Sequence, residues 1–304
     1  MPGEVLLRQL EYVAALDRER HFARAARECH VSQSALSTAI RKLEIQLGVT
    51  IVLRGRRFQG FTPEGERVVG WAHRILAERD GLHDDLERMR GGLAATLRIG
   101  AIPTSIPASS VLIDRFCARH PKAMARVDVT TSREIRRRLA DFELDVGLTY
   151  LDLDTPPVGL RTRALYRERY VLLTPDDGPL AGRDGVGWAE AATLPQCALN
   201  RQMQNRRILD HLMAAAGAEL RPTIETDTVA ALYTYAATRR WSCIVAHPWT
   251  EVFGVPAGTC AVPLLPQSHR PAVGLIWPDR KPESLATAAL LDAIADLGDD
   301  LGDL

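Results

Sequence analysis

The 304-residue sequence predicts a chain in three parts: a small, mainly α winged helix-turn-helix head, a long linker helix, and a larger α/β body of two halves. Three observations carry this. A two-faced helical segment lies within 22–47, behind a serine suited to cap it. Apolar residues recur at steps of four and three through 68–89. Beyond Gly91–Gly92 the pattern changes to strands alternating with helices.

In the head, Leu6, Leu10, Val13 and Ala14 share one face of a first amphipathic helix. Ala23, Ala25 and Ala26 form a small-residue helix that another helix can approach closely. Ser32 stands where open backbone N–H groups need a side-chain acceptor. At about 100° per residue, Leu36, Ile40, Leu43 and Leu47 fall into one core-facing stripe. Ser34, Thr38 and Arg41 fall on the opposite side, with Ile45 beside them. Small hydroxyls and a guanidinium suit a helix that enters a DNA major groove, where close approach and bidentate donors are both needed. Gly48 ends this helix. Thr50–Arg54 and Phe58–Phe61 read as two short strands around Gly55, a β-wing. Arg54, Arg56 and Arg57 crowd its tip, close to where phosphates would run.

Thr62–Pro63 opens the linker helix, with Thr as cap and Pro at the first helical position. Val68, Ala72, Ile75, Arg79, Leu82, Leu86 and Met89 form a heptad seam broken only by Arg79. A seam on a helix that joins two domains implies a partner helix, hence a dimer.

The body begins with strands at Leu97–Ala101, Val127–Thr131, Asp145–Thr149 and Val171–Thr174. Helices at Val111–Arg119 and Glu134–Phe142 separate the first three, a βαβ rhythm that predicts a parallel sheet with helices on both faces. A second set follows: strand Cys197–Leu199, helix Asn205–Ala216, strand Ile224–Thr226, helix Val229–Thr238 and strand Cys243–Ala246. Strand Ala272–Trp277 and helix Glu283–Leu297 close the chain. Ligands of open α/β sheets sit beyond the carboxyl ends of strands. That places Thr104, Ser105 and Ser132 at one wall of a cleft and Gln204 and Asn205, opening the helix after Asn200, at the other. Ser132 is expected to cap its helix and to form an anion site with the free N–H groups there.

Composition limits the alternatives. Residues 1–67 carry 11 Lys/Arg and 8 Asp/Glu, so a single head is only weakly basic and pairing two heads matters. Residues 93–304 carry 23 basic and 25 acidic residues, which suits a ligand module better than a DNA surface. No run approaches the roughly 18 apolar residues of a membrane span. The start, MPGEVLLRQL, lacks the basic-then-apolar pattern of a secretion signal. The five cysteines are scattered, with no metal-ligand spacing, and fit buried thiols in a reducing cytosol. No P-loop, G-x-G-x-x-G or G-x-S-x-G is present, and Cys243 and His247 straddle a strand-to-helix boundary. No enzyme, metal or cofactor is therefore expected.

The segment FARAARECHVSQSALSTAIRKLEIQLGVTIVLR resembles the N-terminal domain of LysR-type transcriptional regulators. The matching positions are Phe22, Ala25–Ala26, Ser32–Gln33, Ala35–Leu36–Ser37, Ile40, Leu43–Glu44 and Leu47–Gly48, about forty residues without a gap. Ser34 departs from the Pro of many members. The resemblance implies DNA contacts from Ser32, Gln33, Ser34, Ser37, Thr38 and Arg41, with Arg54 and Arg56 on the backbone or minor groove. It implies a periplasmic-binding-protein-like effector domain, with effector contacts at Thr104 and Ser132. The boundaries become 1–61 for the head, 62–92 for the linker helix and 93–304 for the effector domain. Its subdomain I would hold 93–168 and 269–304, and its subdomain II 169–268. Thr238–Arg239–Arg240–Trp241 stands where many members have a Gly-rich turn. The runs GFTPEGERV and MQNRRIL are similar to a branch often linked to formate metabolism.

The expected protein is a cytoplasmic, ligand-responsive regulator that binds double-stranded promoter DNA as a dimer or dimer of dimers. Its effector would be a small anionic metabolite, such as a short carboxylate. The alternatives are an architectural DNA-binding protein without an effector, and an α/β enzyme.

Overall fold

The computed structural model describes residues 7–53, 55, 58–91, 95–151, 159–267, 269–280 and 282–297, with the backbone alone for 83–85 and 87–91. Arg54, Arg56 and the Met89 side chain lie outside the described residues. The chain divides into two compact units.

The first unit is built on four helices: α1 (Leu7–Glu19), α2 (Phe22–Glu28), α3 (Gln33–Leu47) and α4 (Pro63–Gly91). Leu16, Leu36, Leu43 and Ile51 are fully buried at its centre, among the alanines of α2. Removing one such side chain typically costs about 2–5 kcal/mol. The predicted stripe holds through Leu36, Ile40 and Leu43, but Leu47 is 39% exposed. The physical reason is the helix end. Gly48 takes φ 68, a left-handed conformation that glycine adopts without strain, and turns the chain back. Ile51 then fills the core instead. Glu44 also turns inward, and its Oε1 accepts from Ile51 N at 2.8 Å and Val52 N at 3.2 Å. The two predicted wing strands reduce to one antiparallel bridge, Val52 with Phe61, extended by Leu53 N to Gly60 O at 3.0 Å.

Thr62 caps α4, accepting from Gly65 N at 2.9 Å. Gly65 is required by close approach: a Cβ there would lie 2.1 Å from Ile51 O. Val69 and Ala72 pack α4 on the head, and the His73 ring nitrogen lies 3.1 Å from the Asp17 carboxylate on α1. Further along the seam, Ile75, Leu82 and Leu86 are exposed on this chain. Arg79 is engaged by Glu11 and Asp80.

The second unit holds the α/β elements. These are β1 (Thr96–Ala101), a 3-10 turn (Pro103–Ser105), α5 (Ile106–Arg119), β2 (Met124–Val129), α6 (Ser132–Ala140), β3 (Val146–Tyr150), β4 (Leu160–Arg167), β5 (Tyr170–Pro175), β6 (Val186–Gly187) and α7 (Trp188–Ala191). They continue with β7 (Cys197–Leu199), α8 (Gln204–Ala215), β8 (Ile224–Thr226), α9 (Val229–Ala236), β9 (Cys243–Ala246), α10 (His247–Phe253), β10 (Thr259–Leu265), β11 (Ala272–Pro278) and α11 (Leu285–Ala293).

One sheet runs β2-β1-β3-β11-β4. Its first three strands are parallel, with Ile99 in register with Val127 and Val146. These are the strands whose βαβ rhythm predicts parallel pairing; the sheet becomes mixed through β11, which is antiparallel to β3 and β4. It comes back from the other half and enters the sheet in the reverse direction. The other half has the sheet β6-β10-β5-β9 and the pair β7-β8. Cys197 N donates to Ser242 O at 2.9 Å and joins β7 to the edge of β9. The chain leaves the first sheet between β4 and β5, at Glu168–Arg169, and returns between β10 and β11. Each half has its own core: Leu97, Leu112, Phe116 and Leu148 in the first, Leu172, Met213, Ile244 and Leu264 in the second.

Candidate functional site

On α3, Gln33, Ser34, Thr38 and Arg41 are exposed, Ser37 is half-buried and Ile45 is 80% exposed. Ser32 begins the helix. Its hydroxyl accepts from Ala35 N at 3.1 Å and lies 3.0 Å from Ser34 Oγ, so it fixes where the face starts. Arg41 forms no ion pair among the described residues. Arg18, Arg20 and Arg24, by contrast, are held by Glu28, Asp17 and Glu19. The outer face of α3 therefore offers a free guanidinium and small hydroxyls to whatever approaches it.

In the second unit the carboxyl ends of β1, β2, β3 and β7 converge on a cavity of ≈ 10 Å³, room for about one water. Ile102, Pro103, Thr104, Thr131, Ser132 and Tyr150 line it from one half, and Leu199, Met203, Gln204 and Asn205 from the other. Thr104, Ser132, Gln204 and Asn205 are thus brought together. Ser105 is not: it lies outside the lining, and its buried hydroxyl donates to Ile102 O at 2.9 Å.

The capping role expected of Ser132 belongs to Thr131, whose Oγ1 accepts from Glu134 N at 3.2 Å. Ser132 is the first helical residue. It is 1% exposed, and its Oγ has no hydrogen-bond partner. An unsatisfied buried hydroxyl facing a cavity is a contact in waiting.

Behind the lining lies a network that sequence reasoning missed. Tyr150 Oη donates to Glu168 Oε2 at 2.8 Å, and Tyr170 Oη donates to the same oxygen at 2.9 Å. Asn205 Nδ2 donates to Tyr150 Oη at 3.1 Å, and Thr104 Oγ1 lies 3.2 Å from it. Glu168 is fully buried at the chain crossing between the halves, and its Oε1 has no partner in hydrogen-bonding geometry. Burial pushes its carboxyl up to about 7, and the hydroxyls of Tyr150, Tyr170 and Thr104 only partly offset this. The only sequence signal was an acidic residue between apolar strands.

Two further segments resolve simply. Arg239 takes φ 59, the conformation for which a Gly-rich turn is suited, and its guanidinium is held by Asp176 and Asp177 at 3.1 and 2.7 Å. It does not line the cavity. His247 Nδ1 accepts from Arg169 N at 3.0 Å, and burial together with the Arg169 charge pushes it down to about 4. The Cys243 thiol points instead to Leu232 O at 3.8 Å, so the two do not form a nucleophile–base pair.

Residues 7–66 match the bacterial regulatory helix-turn-helix protein, lysR family, and residues 90–299 match the LysR substrate binding domain. The chain belongs to the LysR family. A probable hydrogen peroxide-inducible genes activator of Streptomyces viridosporus is 33% identical over 181 residues, which span 59% of this chain and 57% of that relative. Full-length OxyR from Pseudomonas aeruginosa, in a cysteine-to-aspartate variant, superposes with a TM-score of 0.75 at 24% identity, covering 98% of this chain and 97% of that one. CbnR in complex with its target DNA gives 0.66 at 20% identity, covering 96% and 99%. These two show a shared fold. No helix of the described residues is long and apolar enough to cross a membrane.

Proposed function

We propose that this chain is a ligand-responsive transcription regulator that binds promoter DNA in sequence-specific fashion. The observation that carries the reading is the outer face of α3, where Gln33, Ser34, Thr38 and Arg41 are exposed and Arg41 has no ion pair among the described residues. Those side chains, with Ser37, would read base edges or adjacent phosphates in a major groove, while Ser32 holds the helix start. Arg54 and Arg56 would reach the backbone or minor groove from the wing. CbnR, which shares the fold, has been crystallised on its target DNA.

The division into a head at 1–61, a linker at 62–92 and an effector domain at 93–304 is part of this reading. A second copy would cover Ile75, Leu82 and Leu86, whose heptad spacing suits a partner helix. A dimer, or a dimer of dimers, then compensates for the weakly basic head. A small metabolite would be read by Thr104, Ser132, Gln204 and Asn205. A cavity with room for about one water cannot admit it closed, so entry must part the two halves about the Glu168–Arg169 crossing. That rotation is the signal sent to the DNA-binding heads. The peroxide named for the Streptomyces relative is not carried over, because no thiol lines this cavity.

Footprinting of genomic fragments with and without candidate metabolites tests the reading. A protected dyad whose pattern changes with ligand is the expected result. Equal affinity for all duplexes, with no ligand-dependent stabilisation, would favour an architectural protein.

A further inference from the structure

Two arginines stand one helical turn beyond the cavity lining, outside the hydrogen-bonded floor. α6 and α8 both start at the cavity, at Ser132 and Gln204. Residues four apart share a helix face. Arg136 follows Ser132 on one side, and Arg207 follows Met203 on the other.

Neither guanidinium has an ion pair or hydrogen bond among the described residues. The nearby carboxylates are already engaged: Glu134 by Arg137 at 2.8 Å, Asp128 by Arg138 at 2.8 Å, and Asp210 and Glu225 by Arg206 at 2.8 Å each. Arg136 is half-buried, and its Nη1 is enclosed with no acceptor. Burial, and then the charge of Arg207, push its pKa below the usual arginine value. Arg136, on one half, thus has a buried donor unmet, and it lies within electrostatic reach of the exposed Arg207 on the other. Both features oppose folding unless an acceptor of opposite charge arrives.

We infer that Arg136 and Arg207 form an anion clamp: the effector carries an oxyanion, a carboxylate or phosphate, gripped by one guanidinium from each half. The inference rests on the effector reading above and names the ligand class for that site. The body of the ligand would reach Ser132, Gln204 and Asn205. The open N–H groups at the starts of α6 and α8 favour the same charge. Because one arginine sits on each half, occupancy also sets the angle between them.

The test uses the full-length chain, with thermal shift and calorimetry. The probes are formate, acetate, succinate and inorganic phosphate, with succinamide as the neutral counterpart. An anion should raise the melting temperature of the wild type and succinamide should not. Arg207→Gln, an exposed position that leaves the core intact, should weaken the anion at least about tenfold, as one lost charge-assisted contact would. Arg136→Gln should do the same, and each variant without ligand should melt at or above the wild-type temperature. Unchanged anion affinity in the glutamine variants overturns the clamp. So does binding of neutral compounds alone, and that outcome leaves the effector reading standing. If neither anions nor neutral metabolites bind, both fall.

Discussion

The outer face of α3 and the floor of the cleft are both polar, in opposite ways. On α3 the side chains are exposed and Arg41 is unengaged. In the cleft, Thr104, Tyr150, Glu168, Tyr170 and Asn205 are buried and bonded to one another. On the proposed function, a DNA duplex meeting α3 would displace water from groups that already point outward, whereas a ligand entering the cleft would have to rearrange bonds the protein makes with itself. The difference teaches where specificity and where response reside: the first surface can be rigid, and the second has to move.

The rigidity of α3 is the first thing to break. Glu44 supplies the acceptor for two backbone N–H groups where the chain leaves the helix. Glu44→Ala would leave both unpaired in a buried place, at about 1–3 kcal/mol each. The head should lose roughly 2–6 kcal/mol of stability, and binding to specific and random duplexes should be lost together. Circular dichroism melts with parallel binding assays measure this. Retention of wild-type stability would show that the outer face does not depend on this inner support.

The next change sharpens the cleft side. Below about pH 4.5 Glu168 is protonated in folded and unfolded chains alike. As pH rises toward 7 the unfolded chain releases its proton first, because burial holds the folded carboxyl at about 7. Its contribution to stability is therefore present at low pH and lost as pH climbs through about 7, on the order of 3 kcal/mol in all. Glu168→Gln removes the titration and can still accept from both tyrosine hydroxyls. Its melting temperature should gain on the wild type between pH 5 and pH 8. Parallel profiles would mean that the carboxyl is solvated, and the cleft floor would no longer contrast with the DNA face.

A smaller effect is expected on α3 itself. Arg41→Ala should leave the unfolding free energy within about 0.5 kcal/mol of wild type, as for a surface substitution. Discrimination between specific and random duplexes should fall by about 1–3 kcal/mol. Equal weakening on both duplexes would move Arg41 from base reading to phosphate contact.

The two regions were also unequally legible. The α3 face followed from one periodicity over fifteen residues, and only its last turn misled: Leu47 fits the stripe by angle, but the turn at Gly48 puts Ile51 in the core instead. The linker helix was visible for the same local reason, although Val68 and Ala72 of its seam pack on the head and, among its described residues, only Ile75, Leu82 and Leu86 of the seam stay exposed. The cleft floor joins residues 104, 150, 168, 170 and 205, which no single periodicity relates. β4 was missed because its alternation, Leu160 to Tyr166, is interrupted by arginines. The antiparallel place of β11 has no local signature, because its reversed entry is set by the second half of the domain.

Two serines at helix starts give the narrowest form of the comparison. Ser32 bonds Ala35 N and is a true cap. Ser132 looked equivalent in sequence, yet Thr131 holds that task and the Ser132 hydroxyl is left buried and unpartnered. Ser32→Ala should therefore cost about 1 kcal/mol. Ser132→Ala removes no internal bond, so stability should stay level or rise slightly, because a desolvated hydroxyl without a partner is itself unfavourable. What should fall is the ligand-induced rise in melting temperature. If Ser132→Ala instead destabilises like Ser32→Ala and leaves the ligand shift intact, Ser132 is a structural residue and the cleft loses its clearest free contact.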